Sequence, residues 1–189
     1  MKLHLACGDR HIPGFVNIDI QESPATDIVA DVTRLPYEAN SVDLIYSCCF
    51  IEHLGKNSNL AFFRQTSWED ALRNWFNILR PGGKIYLSTM NFEAICREYL
   101  ANNNLERMIG IILGGQKNEE DLHGMIFDYK ILSEGLQRVG FTNIQKYNWW
   151  EFEPFVQNPD YDDFSAAYLP HMDQENGRLM TLNMTGEKQ

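Results

Sequence analysis

Residues 2–20 read KLHLACGDRHIPGFVNIDI, and this stretch decides the fold that the sequence predicts. An apolar segment at residues 3–6 ends at Cys7 and Gly8, and after a polar loop a second one, at residues 15–18, ends at Asp19. A glycine at the carboxyl end of a strand lets a ligand approach the backbone, because it has no Cβ. An aspartate that ends the next strand can accept hydrogen bonds from both hydroxyls of a ribose. This order is typical of the start of a nucleotide-binding α/β domain.

The connections in this stretch are short. Six residues separate Gly8 from Phe15, whereas a crossover between parallel strands usually needs about a dozen. Residues 21–26 are equally few and contain Pro24. We therefore expect little or no helix between Gly8 and Phe15.

The rest of the chain alternates between strand and helix patterns. Strands are predicted at residues 27–30, 42–50, 84–90, 141–150 and 178–185, and helices at residues 67–79, 92–100, 105–113 and 128–139. Thr66 and Glu69 have the spacing of a capping box for the first of these helices, and residues 80–83 are predicted as the turn that ends it. The loops are residues 33–41, with room for one helical turn, a polar turn at 57–59, and a mobile segment at 114–121.

Composition sets the class of protein. The 189 residues suit a single domain, 1–189, with residues 151–177 as an excursion packed over the sheet edge between the last two strands. A net charge of −10 disfavours a nucleic acid or an anionic membrane as a partner. The four cysteines lack the paired spacing of metal ligands, the chain shows no leader, and no apolar run approaches about 18 residues. These features predict a soluble, cytoplasmic protein without a metal site.

Six motifs in order now give a family resemblance. The chain resembles a class I S-adenosylmethionine-dependent methyltransferase of the small single-domain kind through residues 3–8, Asp19, 30–36, 43–54, 79–84 and 136–141. Residues 12–19 are similar to those of a bacterial subgroup of methyltransferases whose first crossover is shortened. The resemblance implies a Rossmann-like sheet of seven mostly parallel strands with an antiparallel last strand. Two positions depart from the family pattern, because His4 replaces an acid and Ala6 replaces a glycine.

The resemblance also implies a binding site for S-adenosylmethionine. The residues it assigns to the cofactor are Ala6, Cys7, Gly8, Asp19, Ile20, Asp31, Val32, Ser47 and Cys48. Asp19 would bind the ribose hydroxyls, Asp31 and Val32 would lie at the adenine, and Ser47 and Cys48 would form the floor near the sulfonium. By the open-sheet rule, these positions lie outside the carboxyl ends of adjacent strands.

Each of these polar residues also has a structural interpretation. Asp19 can serve as a turn former, and Asp31 can cap a turn at Thr33. Cys48 and Cys49 are small residues of the kind that fill a core. The tryptophans and the polar aromatic cluster of the excursion can cover the core or line an acceptor pocket, and they are Trp149, Trp150, Tyr161, Asp162, Asp163 and Tyr168.

His53 and His123 are the candidate catalytic residues. Methyl transfer to a hydroxyl is helped by a general base, whereas a basic amine needs one less. His53 follows a buried strand and can instead bond the backbone there, and His123 follows the loop at residues 114–121 and can instead be an exposed loop residue. Residues 116–121 have no apolar side chain to bury, so we expect the segment at 114–125 to be mobile without ligand and to order over the pocket when ligand binds, carrying His123 inward.

The sequence thus predicts methyl transfer from S-adenosylmethionine to a small molecule, a sugar or another metabolite rather than a nucleic acid. One alternative is a protein that binds the cofactor or a partner without catalysis, which His4 and Ala6 favour. A nucleotide-sugar or dinucleotide enzyme is a third interpretation, but the three-glycine fingerprint is missing. The sequence gives neither the acceptor nor the oligomeric state.

Overall fold

A computed structural model describes residues 1–56, 66–170 and 172–189 of the chain. The strands are β1 Lys2–Leu5, β2 Val16–Asp19, β3 Ile28–Val29, β4 Val42–Cys48, β5 Leu79–Met90, β6 Thr142–Lys146, β7 Tyr168–Leu169, β8 Arg178–Leu179 and β9 Thr181–Glu187. The α-helices are α1 Trp68–Ile78, α2 Phe92–Asn102, α3 Glu106–Leu113, α4 Tyr129–Val139 and α5 Glu153–Gln157. Short 3₁₀ turns occur at Val32–Arg34, Ile51–His53, Glu119–Asp121, Trp149–Glu151 and Phe164–Ala166. The predicted polar turn at residues 57–59 lies outside the described residues.

In the described residues, seven strands form one sheet in the order β3-β2-β1-β4-β5-β9-β6. The pairs β1–β2, β1–β4, β2–β3 and β4–β5 are parallel, whereas β9 is antiparallel to both β5 and β6. The predicted sheet, mostly parallel with an antiparallel last strand, is confirmed. β7 and β8 form a separate small sheet.

The shortened first crossover is also confirmed. The residues from Gly8 to Phe15, all of which the structure describes, contain no helix. The chain turns instead at Gly8 and Gly14, whose φ angles of 56° and 81° lie in the left-handed region. This compact connection leaves the carboxyl ends of β1 and β2 open to a ligand.

Helix α1 forms as predicted, but its N-terminal cap differs. Ser67, rather than Thr66, caps the helix by accepting a hydrogen bond from the Asp70 N–H, so the predicted capping box is wrong. The apolar face is buried, and the indole of Trp75 donates to the Val32 carbonyl at 2.7 Å. This hydrogen bond holds α1 against the Val32–Arg34 turn that follows β3.

Three other boundaries differ from the sequence prediction. The strand predicted at 84–90 begins at Leu79, because Leu79 pairs with Val42 of β4 and Lys188 bonds Gly82 and Gly83, so that the strand runs through the predicted turn at 80–83 with a register shift there. The strand predicted at 178–185 divides into β8 and β9, since residues 178–179 pair with β7 instead of the main sheet. The strand predicted at 141–150 ends at Lys146.

The part of the predicted excursion from Phe152 to Asp163 lies on a face of the sheet rather than over its edge. The ring of Phe152 lies 4.5 Å from that of Tyr46 and 4.7 Å from that of Tyr86, on the central strands β4 and β5. Asp163 accepts hydrogen bonds from the hydroxyls of Tyr46 and Tyr161 in the same layer. The opposite face packs against α1 and α4. Both faces of the sheet are therefore covered, as a mostly parallel sheet requires.

No α-helix in the described part of the chain is both long and apolar enough to cross a membrane.

Candidate cofactor cleft

A cleft of about 680 Å³ opens at the carboxyl ends of β1, β2 and β4. Its walls come from the loops that follow these strands and from the segment around the Glu119–Asp121 turn. The residues lining it are Ala6, Gly8, Asp9, Asp19, Ile20, Gln21, Glu22, Ser23, Val32, Cys49, Phe50, His53, Leu54, Lys117, Asn118, Glu119, Glu120 and Asp121. This is the edge at which open α/β sheets bind ligands.

Asp19 connects the two loops at the mouth of the cleft. One carboxylate oxygen accepts the N–H of Gly8 and the other accepts the N–H of Gln21, each at 2.9 Å. Each oxygen retains a second lone pair, so the carboxylate can still accept a hydrogen bond from a ligand. Asp19 therefore forms a turn, as its structural interpretation held, and also stands in the wall of the cleft.

The loop after β1 has the backbone of a close-approach site. Ala6 and Gly8 have φ angles of 55° and 56°, and a Cβ built on Gly8 would meet no protein atom within 4 Å. A ligand can therefore reach the Gly8 backbone, whereas Ala6 holds a conformation that favours glycine. Cys7, between them, is buried, and its N–H bonds the Ile18 carbonyl.

The structure separates the two residues assigned to the adenine. Val32 lines the cleft. The Asp31 carboxylate caps the turn at Val32–Arg34 by accepting from the backbone and the hydroxyl of Thr33, at 2.9 and 2.8 Å. Asp31 is not among the described residues that line the cleft. These hydrogen bonds are the ones expected if Asp31 caps the turn at Thr33.

The floor of the cleft lies just after the residues that the sequence suggested. Ser47 is only 1% exposed and lies in β4, and neither it nor Cys48 belongs to the described lining. Cys49 and Phe50 take that place, Cys49 with a φ of 50°. The shift arises because the strand ends at Cys48 and the chain bends at Cys49.

The thiols of Cys48 and Cys49 are poor nucleophiles. Burial raises the pKa of the Cys48 thiol. The hydrogen bond that its thiol shares with Cys48, together with burial, raises the pKa of Cys49 well above its ordinary value. Both thiols stay protonated near neutral pH and so lack the reactive thiolate.

The two candidate histidines lie together, although only one of them lines the cleft within the described residues. The ring centres of His53 and His123 are 4.7 Å apart, at an interplanar angle of 80°. Nδ1 of His53 lies 3.1 Å from the Leu122 carbonyl, and Nδ1 of His123 lies 3.0 Å from the Ile111 carbonyl. A carbonyl accepts but does not donate, so each neutral ring carries its proton on Nδ1 and its free lone pair on Nε2. Burial lowers the pKa of His123.

The cleft is strongly acidic. Its described lining holds six carboxylates, those of Asp9, Asp19, Glu22, Glu119, Glu120 and Asp121, against one lysine, Lys117. A concave surface with one sign of charge raises the local concentration of ligands of the opposite sign. The segment after α3 supplies four of these charged groups, so residues 117–121 of the predicted lid lie at the cleft, and its closure on ligand binding stays a prediction.

No group of three or more histidine, cysteine, aspartate or glutamate side chains among the described residues is placed to hold a metal ion.

Comparison with known proteins gives a consistent result. Residues 13–87 match the model of a methyltransferase domain family, a match that covers less than half of the chain. A comparison with curated proteins gives no significant match.

Many solved structures share the fold. An S-adenosylmethionine-dependent methyltransferase from Thermotoga maritima, described as a possible histamine N-methyltransferase, has a TM-score of 0.57 and 13% identity over 100% of this chain and 82% of that one. One from Archaeoglobus fulgidus has a TM-score of 0.55 and 12% identity, over 99% of this chain and 85% of that one. One from Mesorhizobium loti has a TM-score of 0.51 and 16% identity, over 99% and 90%. At these identities the likeness establishes the fold.

Proposed function

We propose that this chain, a class I S-adenosylmethionine-dependent methyltransferase by its domain match and its fold, transfers the methyl group of that cofactor to a small molecule. The observation that carries the proposal is the cleft itself. It lies at the carboxyl ends of adjacent strands, with Asp19 in its wall and the exposed Gly8 backbone at its mouth.

The residues of the cleft fit the cofactor. The Asp19 carboxylate has lone pairs for ribose hydroxyls, and Ile20, Val32, Phe50 and Leu54 offer apolar surface for an adenine. The acidic lining suits a ligand with an ammonium and a sulfonium group. We assign the methionine end to the Ala6–Gly8 backbone side and leave Cys7, Ser47 and Cys48 as supporting residues behind the wall.

The cofactor supplies an already activated methyl group, so the protein has to orient the acceptor and exclude water. The segment at residues 114–125 supplies the wall that can do so, because its Lys117 to Asp121 portion faces Gly8 and Asp19 across the cleft. His53 has Nε2 free for the proton that the acceptor loses, since Nδ1 is held by the Leu122 carbonyl. His123 would approach the site when this segment closes.

Charge and shape support a small acceptor. The chain carries a net charge of −10, and an acidic cleft repels a phosphate backbone. The Thermotoga maritima neighbour, described as a possible histamine N-methyltransferase, gives an example of a small acceptor on this fold. The four cysteines, all of them described, are free thiols, which suits the cytoplasm as the place of action.

A non-catalytic binding protein is the second candidate. The observation that favours it is Ala6, which holds a left-handed φ of 55° where the family pattern has glycine. A Cβ at that point narrows the approach to the backbone. Turnover separates the two functions, because a binding protein would hold the cofactor without converting it.

The test is release of S-adenosylhomocysteine when the protein is incubated with S-adenosylmethionine and fractionated metabolite pools. The proposal expects one or more small-molecule fractions to stimulate release, and Asp19→Ala to abolish the stimulation at low cofactor concentration. Stimulation only by RNA or DNA would contradict it.

A further inference from the structure

Glu52 is a buried carboxylate to which no described residue donates a hydrogen bond. It lies in the turn Ile51–His53 after β4 and is 1% exposed. Neither of its carboxylate oxygens has a hydrogen-bond partner among the residues that the structure describes. Cys49 and Phe50 before it, and His53 and Leu54 after it, line the cleft.

A buried carboxylate without a hydrogen-bond partner lowers the stability of the folded chain. Burying an ionised carboxylate without a partner costs free energy, and native proteins pair or hydrogen-bond nearly all such groups. Glu98 shows the usual arrangement in this chain: it is 6% exposed, and its oxygens accept from Asn102 at 2.7 Å and from Arg178 at 3.3 Å. Among the residues that the structure describes, Glu52 has no equivalent of either donor.

Two other unpartnered polar groups stand near the same strand ends. The hydroxyls of Ser47, on β4, and Thr89, on β5, are buried without a hydrogen-bond partner among the described residues. β4 and β5 are neighbours in the sheet, and the turn that carries Glu52 contacts β5. Of the five described residues with such groups, Ser47, Glu52 and Thr89 therefore lie on or just after these two neighbouring strands, whereas Tyr147 and Ser165 lie elsewhere in the chain.

The segment at residues 114–125 is bonded to the turn that carries Glu52. The Glu52 carbonyl accepts the N–H groups of Gly124 and Met125, at 2.8 and 3.0 Å, and the neighbouring His53 bonds the Leu122 carbonyl. His123 lies close enough for the Glu52 charge to act on it. Movement of its cleft-lining part, residues 117–121, with Gly124 and Met125 still bonded to the turn, would open and close the route of a ligand to the carboxylate.

We propose that Glu52 is a specificity-determining residue that binds an amine of the acceptor, so that the acceptor class is a small amine-bearing molecule. The argument rests on the proposed function. A cationic amine is the strongest partner for a buried carboxylate, because the hydrogen bonds are charge-assisted and the two charges compensate each other. For methyl transfer the bound nitrogen first gives a proton to Glu52 or to Nε2 of His53, and its lone pair then forms the N–CH3 bond as the S–CH3 bond breaks. The acidic lining of the cleft also favours a positively charged ligand.

The first test needs no knowledge of the acceptor. Glu52→Gln removes an uncompensated charge with little change of shape, so the thermal midpoint of the ligand-free protein should hold or rise. Glu98→Gln is the matched control, since it breaks a partnered buried carboxylate, and its midpoint should fall by about 2–4 °C or more. A fall in Glu52→Gln as large as that in Glu98→Gln would mean that Glu52 is a structural residue and would overturn the proposal.

The second test measures methyl transfer. Radiolabelled S-adenosylmethionine is offered with a pool of small primary and secondary amines, and separately with the alcohols of matching shape. Label should enter the amine pool, and transfer should drop by roughly 10- to 150-fold in Glu52→Gln, the loss expected for one charge-assisted hydrogen bond. Glu98→Gln, assayed below its melting range, should keep the wild-type rate. Label in the alcohols alone, or no label in the amines, would contradict the proposal.

Cofactor binding distinguishes this inference from the proposed function. If the wild-type protein binds no S-adenosylmethionine in a titration, the proposed function fails. If binding is intact in both proteins and Glu52→Gln methylates as the wild type does, only the role of Glu52 fails.

Discussion

The Asp19 carboxylate accepts a hydrogen bond from the Gly8 N–H at 2.9 Å and so joins the end of β2 to the loop after β1. Its other oxygen holds the N–H of Gln21. One side chain therefore sets the shape of the cleft mouth, and under the proposed function its remaining lone pairs accept the ribose hydroxyls. Asp19 thus has two roles, a structural one at the cleft mouth and a proposed one in cofactor binding.

Replacing Asp19 tests that double role. Asp19→Ala should weaken S-adenosylmethionine binding by about 1.5–3 kcal/mol, the range for hydrogen bonds to a charged group. Glu134→Ala, on α4 and outside the cleft, serves as the control and should bind normally. Isothermal titration gives both affinities. Unchanged affinity in a folded Asp19→Ala protein would remove this residue from the site.

The cleft charge predicts a difference between cofactor and product. S-adenosylmethionine has one more positive charge than S-adenosylhomocysteine, and the described lining has six carboxylates against one lysine. Raising the salt concentration screens these charges. We expect the affinity for S-adenosylmethionine to fall several-fold between low salt and about 0.5 M salt, where the Debye length is only a few ångströms. The affinity for S-adenosylhomocysteine should change much less, and equal salt dependence of the two would argue against an electrostatic preference.

The segment at residues 114–125 should respond to ligand over part of its length. The amides of Gly124 and Met125 already bond the Glu52 carbonyl and should be protected from hydrogen exchange with or without ligand. Residues 117–121 line the cleft and should gain protection when S-adenosylhomocysteine saturates the protein. The exposed turn at residues 102–104 is the control and should not change. Equal exchange at 117–121 in both states would contradict closure of this segment.

His53 and His123 can be separated by kinetics. His53→Gln should lower kcat by about 100-fold if its Nε2 takes the acceptor proton, and cofactor affinity should stay near that of the wild type. His123→Gln tests whether closure brings the second ring into the site. Normal kcat in either variant would exclude that histidine from proton transfer, and the result for one does not decide the other.

Buried His4 should make the protein sensitive to mild acid. Burial lowers the pKa of His4, and the ring hydrogen-bonds Asn17 and stacks on Tyr46. Between the lowered pKa and about 6.5, the unfolded chain binds more protons than the folded one, so stability is complete above pH 6.5 and declines below it. Urea unfolding at pH 7.5 and 5.5 should show a smaller difference for His4→Gln than for the wild type. An unchanged difference would assign the acid sensitivity to other groups.

The sequence predicted the sheet well because its signals are local. The spacing between Gly8 and Phe15 excluded a helix, and the apolar face of α1 stood at helical intervals. The errors arise where pairing with a distant segment of the chain decides where a strand begins or ends. Lys188 extends β5 through residues 80–83, and β7 takes residues 178–179 away from the main sheet. Neither partner is visible in a local pattern.

The residues of the site were harder to predict from the sequence than the fold was. Asp19 and Val32 follow strand ends and could be placed by motif, and both line the cleft. Glu52 and residues 117–121 could not, because burial without a partner and proximity across the cleft are properties of the folded chain. Asp31 shows the opposite case, in which an acid at a strand end is engaged by its own turn.

The most direct test of the central claim is isothermal titration of the wild-type protein with S-adenosylmethionine, S-adenosylhomocysteine and NAD. The cleft geometry predicts one S-adenosylmethionine and one S-adenosylhomocysteine per chain, and no heat of binding with NAD. Binding of NAD in place of S-adenosylmethionine, or no binding of S-adenosylmethionine and S-adenosylhomocysteine by the folded protein, would contradict it.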